Sequence, residues 1–365
     1  MRRALPSATI KDVARMARVS TATVSYVING TSFVSPPLKA RVLEAVARLG
    51  FAPSRVARGL RMQSTRLVGV VVADITNPFF AELVRRIGSA AHALGYSMLL
   101  CEADHDSAKE LAALQLLAAH RVEGVVLAPT GPASMYLEPP ISNFPRPIVT
   151  VDRVIPDAPF DAVSINNRQA AFEVTRHILS LGHVNISAIA GWRHLTNTTD
   201  RLAGFREALE QAGLDSERAE VVYADFRQDR ARELCYGLLV SSPRPTALFV
   251  SNNEMVVGAM QAITELDLSC PTDISLAGID DLPWANTFAP RLTTSRQPIE
   301  ALAEHAVRIL HERIRGEKSL VENVVLTAQL IIRDSCAAPS GVQPDPTREK
   351  DGDRRVKRLA SFSAR

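Results

Sequence analysis

TIKDVARMARVSTATVSYVIN, residues Thr9–Asn29, is patterned as two short helices joined by a tight turn. Thr9 stands where a helix N-cap would, and Asp12, three residues on, completes the spacing of a capping box. Ile10, Val13, Ala14 and Ala17 recur at helical intervals. Val19 closes the turn, and Ser20 can cap a second helix on which Val24, Val27 and Ile28 form an apolar stripe. Thr21, Ala22, Ser25 and Tyr26 lie off that stripe, mostly small and polar near the helix start. A short helix with a buried stripe and such an outer face suits insertion into a DNA major groove. An ordinary surface helical hairpin would show the same periodicity, so the rest of the chain must decide.

Outward from this stretch, Asn29–Phe33 reads as a polar loop. Ser35-Pro36 reads as an N-cap followed by proline at the first helical position. Val42, Leu43, Val46 and Leu49 carry the third helix's stripe, and Gly50 is placed to end it. Three short helices can share one small core, so the chain up to about Phe51 predicts a compact headpiece. Pro53–Arg61, PSRVARGLR, is short, basic and weakly apolar, and Gly59 lowers its helicity. A helix this short is marginal alone, so the segment is a linker or folds on binding.

Charge separates in step with this division. Residues 1–65 hold 11 Lys and Arg against 2 Asp and Glu, whereas residues 66–338 hold 24 against 33. A basic head on an acidic body is what a phosphate-binding module fused to a ligand-binding body should look like. At 365 residues the chain is long enough for two or three domains. No apolar run is long enough to span a bilayer. Arg2 and Arg3 precede a polar segment and no apolar signal core, so no secretion signal is expected. Cys101, Cys235, Cys270 and Cys336 are far apart in sequence, which predicts a reducing, cytoplasmic setting with neither a zinc site nor a disulfide framework.

ATIKDVARMARVSTATVSYVINGTSFVS, followed by SRVARGL, resembles the DNA-binding head and hinge of the LacI/GalR family, the lactose-repressor and purine-repressor group. The resemblance runs from Ala8 to about Arg333. The family implies a transcriptional regulator, most often a repressor, whose operator affinity is set by a small-molecule effector.

The body supports a matching architecture on its own pattern. Leu67–Ile75 is a continuous apolar run of strand length, the mark of a strand buried on both faces. An amphipathic helix over Asn77–Tyr96 follows. Strands SMLLCEA, VEGVVLAP, PIVTVD, ISAIAG, VVYAD, TALFVS and DISLAGID then alternate with helices KELAALQLLAAHR, Arg168–Leu181, LAGFREALEQAG, Asp229–Val240, one from Glu254 and Ile299–Ile314. Such alternation implies parallel sheets with helices on both faces. There are too many elements for one sheet, so two similar lobes are expected with a ligand cleft at the carboxyl ends of their strands. The fold class is therefore α/β: a helix-turn-helix head and hinge helix, then two doubly wound lobes. The resemblance implies a periplasmic-binding-protein-like body whose chain crosses between lobes near Val163–Asn167, Ser295–Ile299 and Leu326–Ala328. The expected boundaries are 1–51 head, 52–65 hinge and 66–338 effector-binding and dimerisation body. Lobe one takes 66–165 and 298–326, and lobe two 166–297 and 327–338. Residues 339–365, rich in Pro, Gly and charge, read as a disordered tail. That tail lacks the leucine heptad with which some relatives form tetramers, leaving a homodimer.

Matched to the family, Thr21, Ala22 and Tyr26 face base edges. Thr21 can hydrogen-bond a base or phosphate, and Ala22 can touch a thymine methyl. Tyr26 replaces an arginine or histidine of better-known relatives, so no guanine contact follows there. Thr23, Ser25 and Asn29 suit phosphates, with local helix bonding the plainer role for Thr23 and Ser25. In the hinge the resemblance implies that Arg55–Leu60 becomes helical on the operator's minor groove. Leu60 would wedge between central base steps, with Arg58 and Arg61 near phosphates; packing against lobe one is the simpler role for Leu60. In the cleft the matching positions are Asn77, Phe79, Phe80, Asp152, Arg153, Asn197, Arg201, Phe226, Asn252 and Asp280. Asn252-Asn253 stands where the family commonly has Asn-Asp, and Asn166 replaces a common Asp. Arg153 and Arg201 hint at an acidic sugar or another anionic metabolite, unless Arg153 pairs internally with Asp152 or Asp280.

Two other functions compete. A sugar-binding transport receptor shares the body but should carry a secretion signal and no head. A nucleotide-dependent enzyme should show GxGxxG, a P-loop, GxSxG or HExxH, and none occurs. The sequence thus predicts no catalytic residues, no metal and no cofactor. Its partners are operator DNA with a pseudo-palindrome, a small-molecule effector that is a sugar or an anionic sugar derivative, and a second copy of the chain, with no membrane.

Overall fold

The computed structural model describes residues 8–30, 32–51, 64–281, 283–287, 289–317 and 320–340. They fall into two units, Met1–Arg66 and Leu67–Arg365, each described by itself. The hinge residues Arg55, Arg58, Leu60 and Arg61, the side chain of Asn29 and the tail beyond residue 340 lie outside the described residues.

In the head, α1 (Ile10–Ala17) begins with a complete capping box: the Thr9 amide donates to Asp12 Oδ2 and the Asp12 amide to Thr9 Oγ1. Arg18, at φ +52°, reverses the chain, and the Val19 amide donates to the Ala14 carbonyl. Helix α2 (Thr21–Asn29) starts at Ser20, whose Oγ accepts from the Thr23 amide at 3.0 Å. Helix α3 (Pro36–Leu49) ends at Gly50, at φ +57°. Val13, Ala14, Ala17, Val24, Val42 and Ala45 form the shared core, with Ile10, Val19, Val27 and Ile28 packed around it. Arg41 reaches from α3 to the carbonyls of Ala17 and Arg18 and so ties down the turn between α1 and α2. Ser35 holds the N-cap position with Pro36 opening the helix, as expected, although its side chain makes no cap bond. One expectation is corrected here. The α3 stripe runs through Val42, Ala45, Val46 and Leu49, leaving Leu43 49% exposed, because one step along a helix turns a side chain by about 100°.

The body begins with β1 (Leu67–Val72), α4 (Pro78–Ala93), β2 (Ser97–Glu102), α5 (Ser107–Ala119), β3 (Val125–Leu127), α6 (Ala133–Leu137), β4 (Ile148–Val151) and β5 (Asp161–Ile165). It continues through α7 (Asn167–Ser180), β6 (Ile186–Ala190), α8 (Thr196–Gln211), β7 (Val221–Tyr223), α9 (Gln228–Val240), β8 (Ala247–Val250), α10 (Asn253–Glu265) and β9 (Ser275–Ile279). The last elements are β10 (Thr293–Arg296), α11 (Ile299–Ile314), β11 (Asn323–Leu326) and β12 (Gln329–Ile331). One sheet has the order β11-β5-β4-β3-β1-β2 and the other β12-β10-β9-β8-β6-β7. All pairings are parallel except β10 with β12. The two orders are the same when β1 is matched with β6, β2 with β7, β3 with β8 and β4 with β9. The chain passes between sheets after β5, between β10 and α11, and between β11 and β12.

Strands β5, β10, β11 and β12 and helix α6 escape the periodicity. Strand β10 shows why: Thr293, Thr294 and Ser295 are all buried, yet none is apolar. Their polar groups are satisfied within the core, where the Thr293 amide donates to Ser335 Oγ and Thr294 Oγ1 donates to Asp281. Helix α8 starts at Thr196, six residues before the LAGF apolar spacing begins, because its first turns are polar residues with no stripe.

Candidate functional site

On the head, Thr21, Ala22, Ser25 and Tyr26 share one side of α2 by helical spacing, away from Val24 and Val27. Thr21, Ala22 and Tyr26 are exposed, Tyr26 by 44%, while Thr23 and Ser25 are half-buried. Thr23 Oγ1 lies 2.9 Å from Ser20 Oγ, so it takes part in the local cap bond. If Ser20 donates there, the Thr23 hydroxyl keeps its own proton for an outside acceptor such as a phosphate.

In the body, the carboxyl ends of matched strands point at each other. Asn77 follows β1 and caps α4, its Oδ1 accepting from the Phe79 amide at 2.9 Å. Asn252 follows β8 and caps α10, accepting from the Met255 amide at 3.0 Å. Asp152 follows β4 and Asp280 follows β9, both left-handed at φ +69° and +73°. Phe226 follows β7 at φ +56°. A non-glycine residue in that region costs about 1–2 kcal/mol, and such strain concentrates where side chains must be aimed. Asn77, Phe79, Phe80, Asp152, Arg153, Asn197, Arg201, Phe226, Asn252 and Asp280 all line one nearly closed cavity of about 20 Å³, joined by His105 and Gln297.

The charges in this cavity are opposed in pairs. The Arg153 guanidinium lies 5.8 Å from the Phe80 ring centre and 5.7 Å from that of Phe226. Its Nη1 donates to the Pro129 carbonyl and its Nε is 3.4 Å from Asp152 Oδ2. Arg201 Nε donates to Asn167 Oδ1 at 2.8 Å and its Nη1 to the Ser251 carbonyl. Burial pushes the Asp280 carboxyl above its ordinary range, while the charge of Arg201 and a 2.6 Å bond from Gln297 Nε2 oppose that rise. Burial, helped by the Arg153 charge, pushes His105 down to about 4, so its ring is neutral at pH 7. Arg153 is thus paired with Asp152, and the Arg201 charge acts on Asp280.

Not all polar atoms here are matched. Arg153 Nε, Arg201 Nη2, Asn197 Oδ1, Gln297 Oε1 and His105 Nδ1 are buried without a hydrogen-bond partner. Each unmade bond costs about 1–3 kcal/mol, so five around one cavity leave it suited to a polar occupant. Around it the lobes touch through named bonds. Asn253 Nδ2 donates to Asn77 Oδ1 at 2.7 Å and Asn77 Nδ2 donates back to Asn253 Oδ1 at 3.2 Å. Asn197 Nδ2 donates to Asp152 Oδ2 at 3.3 Å, and Thr196 Oγ1 to the Val154 carbonyl at 2.8 Å. His194 Nε2 lies 3.1 Å from the Thr130 carbonyl. The second asparagine of Asn252-Asn253 therefore serves as a clasp between lobes.

His105, Gln297 and the clasp role of Asn253 are absent from the sequence reading. Gln297 follows β10, a strand without apolar pattern. For His105 a signal exists: Ala103-Asp104-His105 after β2 repeats as Ala224-Asp225-Phe226 after β7.

Residues 9–54 match the family model for bacterial regulatory proteins of the lacI family, and residues 175–336 match that for a periplasmic binding protein-like domain. The chain is 34% identical over 329 residues to the HTH-type transcriptional repressor PurR of Photobacterium profundum, covering 90% of this chain and 98% of the relative. It is 33% identical over 330 residues to the HTH-type transcriptional regulator DegA of Bacillus subtilis, covering 90% and 97%. A lac repressor dimer bound to operator and the anti-inducer ONPF aligns with a TM-score of 0.80 at 28% identity, covering 91% of this chain and 99% of that one. A complex of the transcriptional regulator CelR with cellobiose aligns with a TM-score of 0.68 at 29% identity, covering 90% and 99%. No helix among the described residues is long and apolar enough to cross a membrane. The head, the two-lobed body and these relatives agree: the chain belongs to the LacI family of bacterial regulatory proteins and is a DNA-binding transcriptional regulator.

Proposed function

We propose that the chain is a repressor whose operator affinity is set by a sugar-class effector held between its lobes. The observation that carries this reading is the cavity: twelve residues from strand ends and helices of both lobes, with unpaired donors and acceptors, in a chain that also bears a basic helix-turn-helix head. The lac repressor dimer bound to operator and the anti-inducer ONPF pairs DNA with a small molecule in a similar chain, and the transcriptional regulator CelR is seen with cellobiose. Because the two guanidiniums face two aspartates, a neutral polyhydroxylated effector fits the cavity better than a strongly anionic one. Hydroxyls can both donate and accept, which matches its mixed set of unpaired atoms. The function is binding, with no reaction assigned, and it belongs in the cytoplasm where the DNA is. A transport receptor would use this body but has no use for the head.

In this reading residues 1–51 read DNA, 52–65 form the hinge, and the body binds effector and a second protomer. Thr21, Ala22 and Tyr26 face base edges, and Thr23, Ser25 and Asn29 hold phosphates. Arg55, Arg58, Leu60 and Arg61 act at the minor groove, a role supported by sequence alone. Effector binding shifts the balance between open and closed lobes and so the spacing of the two heads on a pseudo-palindrome. A coupling of about 1–3 kcal/mol changes operator affinity about 5- to 150-fold. Fluorescence anisotropy with pseudo-palindromic DNA selected from a random pool tests the reading. Tight binding that falls steeply with salt is expected, since phosphate contacts release counterions; binding that is absent or indifferent to salt would refute it.

A further inference from the structure

We propose that His105 is a direct effector contact, the lobe-one counterpart of Phe226, and that it selects for a hydroxyl on the effector. The proposal rests on the cleft reading above. The two turns repeat in detail. Ala103 and Ala224 are fully buried, and their amides donate to the last residues of the matched strands, Val72 and Ala190. The next two residues are left-handed in each turn, at φ +48° and +54° for Asp104 and His105, and +56° for both Asp225 and Phe226. Both aspartates then pair with a cation five residues on, Asp104 with Lys109 at 2.6 Å and Asp225 with Arg230 at 2.8 Å. The amides that start the following helices, Asp106 and Arg227, donate back to Ala103 and Ala224.

One backbone device therefore aims two side chains into one cavity from opposite lobes. On lobe two it presents an apolar ring, suited to the C–H face of a sugar. On lobe one it presents an imidazole whose Nδ1 is shut from solvent and has no partner. Burial, helped by the neighbouring Arg153 charge, keeps that imidazole neutral, so it offers one donor and one acceptor. A hydroxyl satisfies either nitrogen, whereas a carboxylate or phosphate satisfies only the protonated one.

The test uses the full chain. Thermal melting is screened against D-ribose, D-glucose, D-galactose and cellobiose, with gluconate and glucose 6-phosphate as anionic controls. The sugar giving the largest shift is titrated calorimetrically against wild type, Arg201→Ala, His105→Asn and His105→Gln. Asparagine tolerates the left-handed backbone but is too short to reach the ligand, while glutamine keeps a donor and an acceptor. If Arg201→Ala does not fold, Phe226→Ala replaces it. The expected result is binding lost in Arg201→Ala, weakened at least tenfold in His105→Asn and largely kept in His105→Gln. One monodeoxy analogue should lose as much on wild type and nothing further on His105→Asn. Loss in Arg201→Ala with wild-type affinity in His105→Asn overturns the role of His105 and leaves the cleft reading standing. A sugar that binds Arg201→Ala unchanged, or a panel in which no neutral sugar binds, overturns the cleft reading itself.

Discussion

Replacing Asn253 by alanine is expected to weaken the closed arrangement of the lobes and little else. Asn253 is 1% exposed, and its side chain exchanges two hydrogen bonds with Asn77 of the opposite lobe, at 2.7 and 3.2 Å. The cap of α10 comes from Asn252, so the helix start survives. With the lobes apart, water solvates both asparagines; with them together, the variant leaves Asn77 Nδ2 buried and unpaired. Two net bonds at about 0.5–1.5 kcal/mol each place the loss at about 1–3 kcal/mol. That shifts the closed-to-open ratio, and the affinity of an effector that binds the closed form, by about 5- to 150-fold. Calorimetric titration reads the affinity, and small-angle scattering reads the opening as a larger radius of gyration. A variant with wild-type melting, wild-type affinity and an unchanged scattering profile would refute the clasp.

Four further outcomes can be checked. Tyr26→Ala should alter which bases are preferred in a binding-site selection while leaving the salt slope of affinity unchanged; a parallel loss on all sequences would assign Tyr26 to phosphates instead. Leu60→Ala should weaken operator binding and leave effector binding intact, and an unchanged operator affinity removes the wedge. Burial holds the imidazoles of His105, His177 and His183 below their ordinary range, His105 at about 4. The unfolded chain then binds more protons, so stability is full above about pH 6.5 and falls as pH drops toward about 4. His105→Gln should flatten part of that fall in pH-dependent melts, by at most about 3 kcal/mol and less for a partly exposed ring. Gly204→Ala should destabilise the body by about 1–3 kcal/mol or more in urea unfolding, because its Cβ would sit 2.0 Å from the Arg168 carbonyl oxygen. Wild-type stability there would mean that α7 and α8 can part cheaply.

Where a residue's role is set by local chemistry, the sequence displays it. Thr9 and Asp12 make their capping box, Ser20 caps α2, and Gly50 ends α3 in the left-handed region. Runs such as Leu67–Val72 become strands because burial on both faces demands unbroken apolar residues. Roles set by tertiary partners are hidden. Strand β10 is polar and buried, so no hydrophobic period marks it or the Gln297 that follows. Arg153 and Arg201 look like a cationic pair in sequence, but three-dimensional pairing with Asp152 and the placement of Asp280 oppose those charges. Asn253 looks like a weakened ligand and is found bonded to Asn77, 176 residues away in sequence. His105 was legible in principle through the repeated Ala-Asp turn, whose meaning emerges only when β2 and β7 are known to match.

The central claim is that occupancy of the cleft governs the grip of the head on DNA. Operator affinity measured by anisotropy, with and without the sugar that binds the cleft, in wild type and in Arg201→Ala, tests it most directly. The account predicts a change of about 5- to 150-fold in wild type and none in Arg201→Ala. An operator affinity that stays the same in wild type while calorimetry shows the cleft saturated would contradict it.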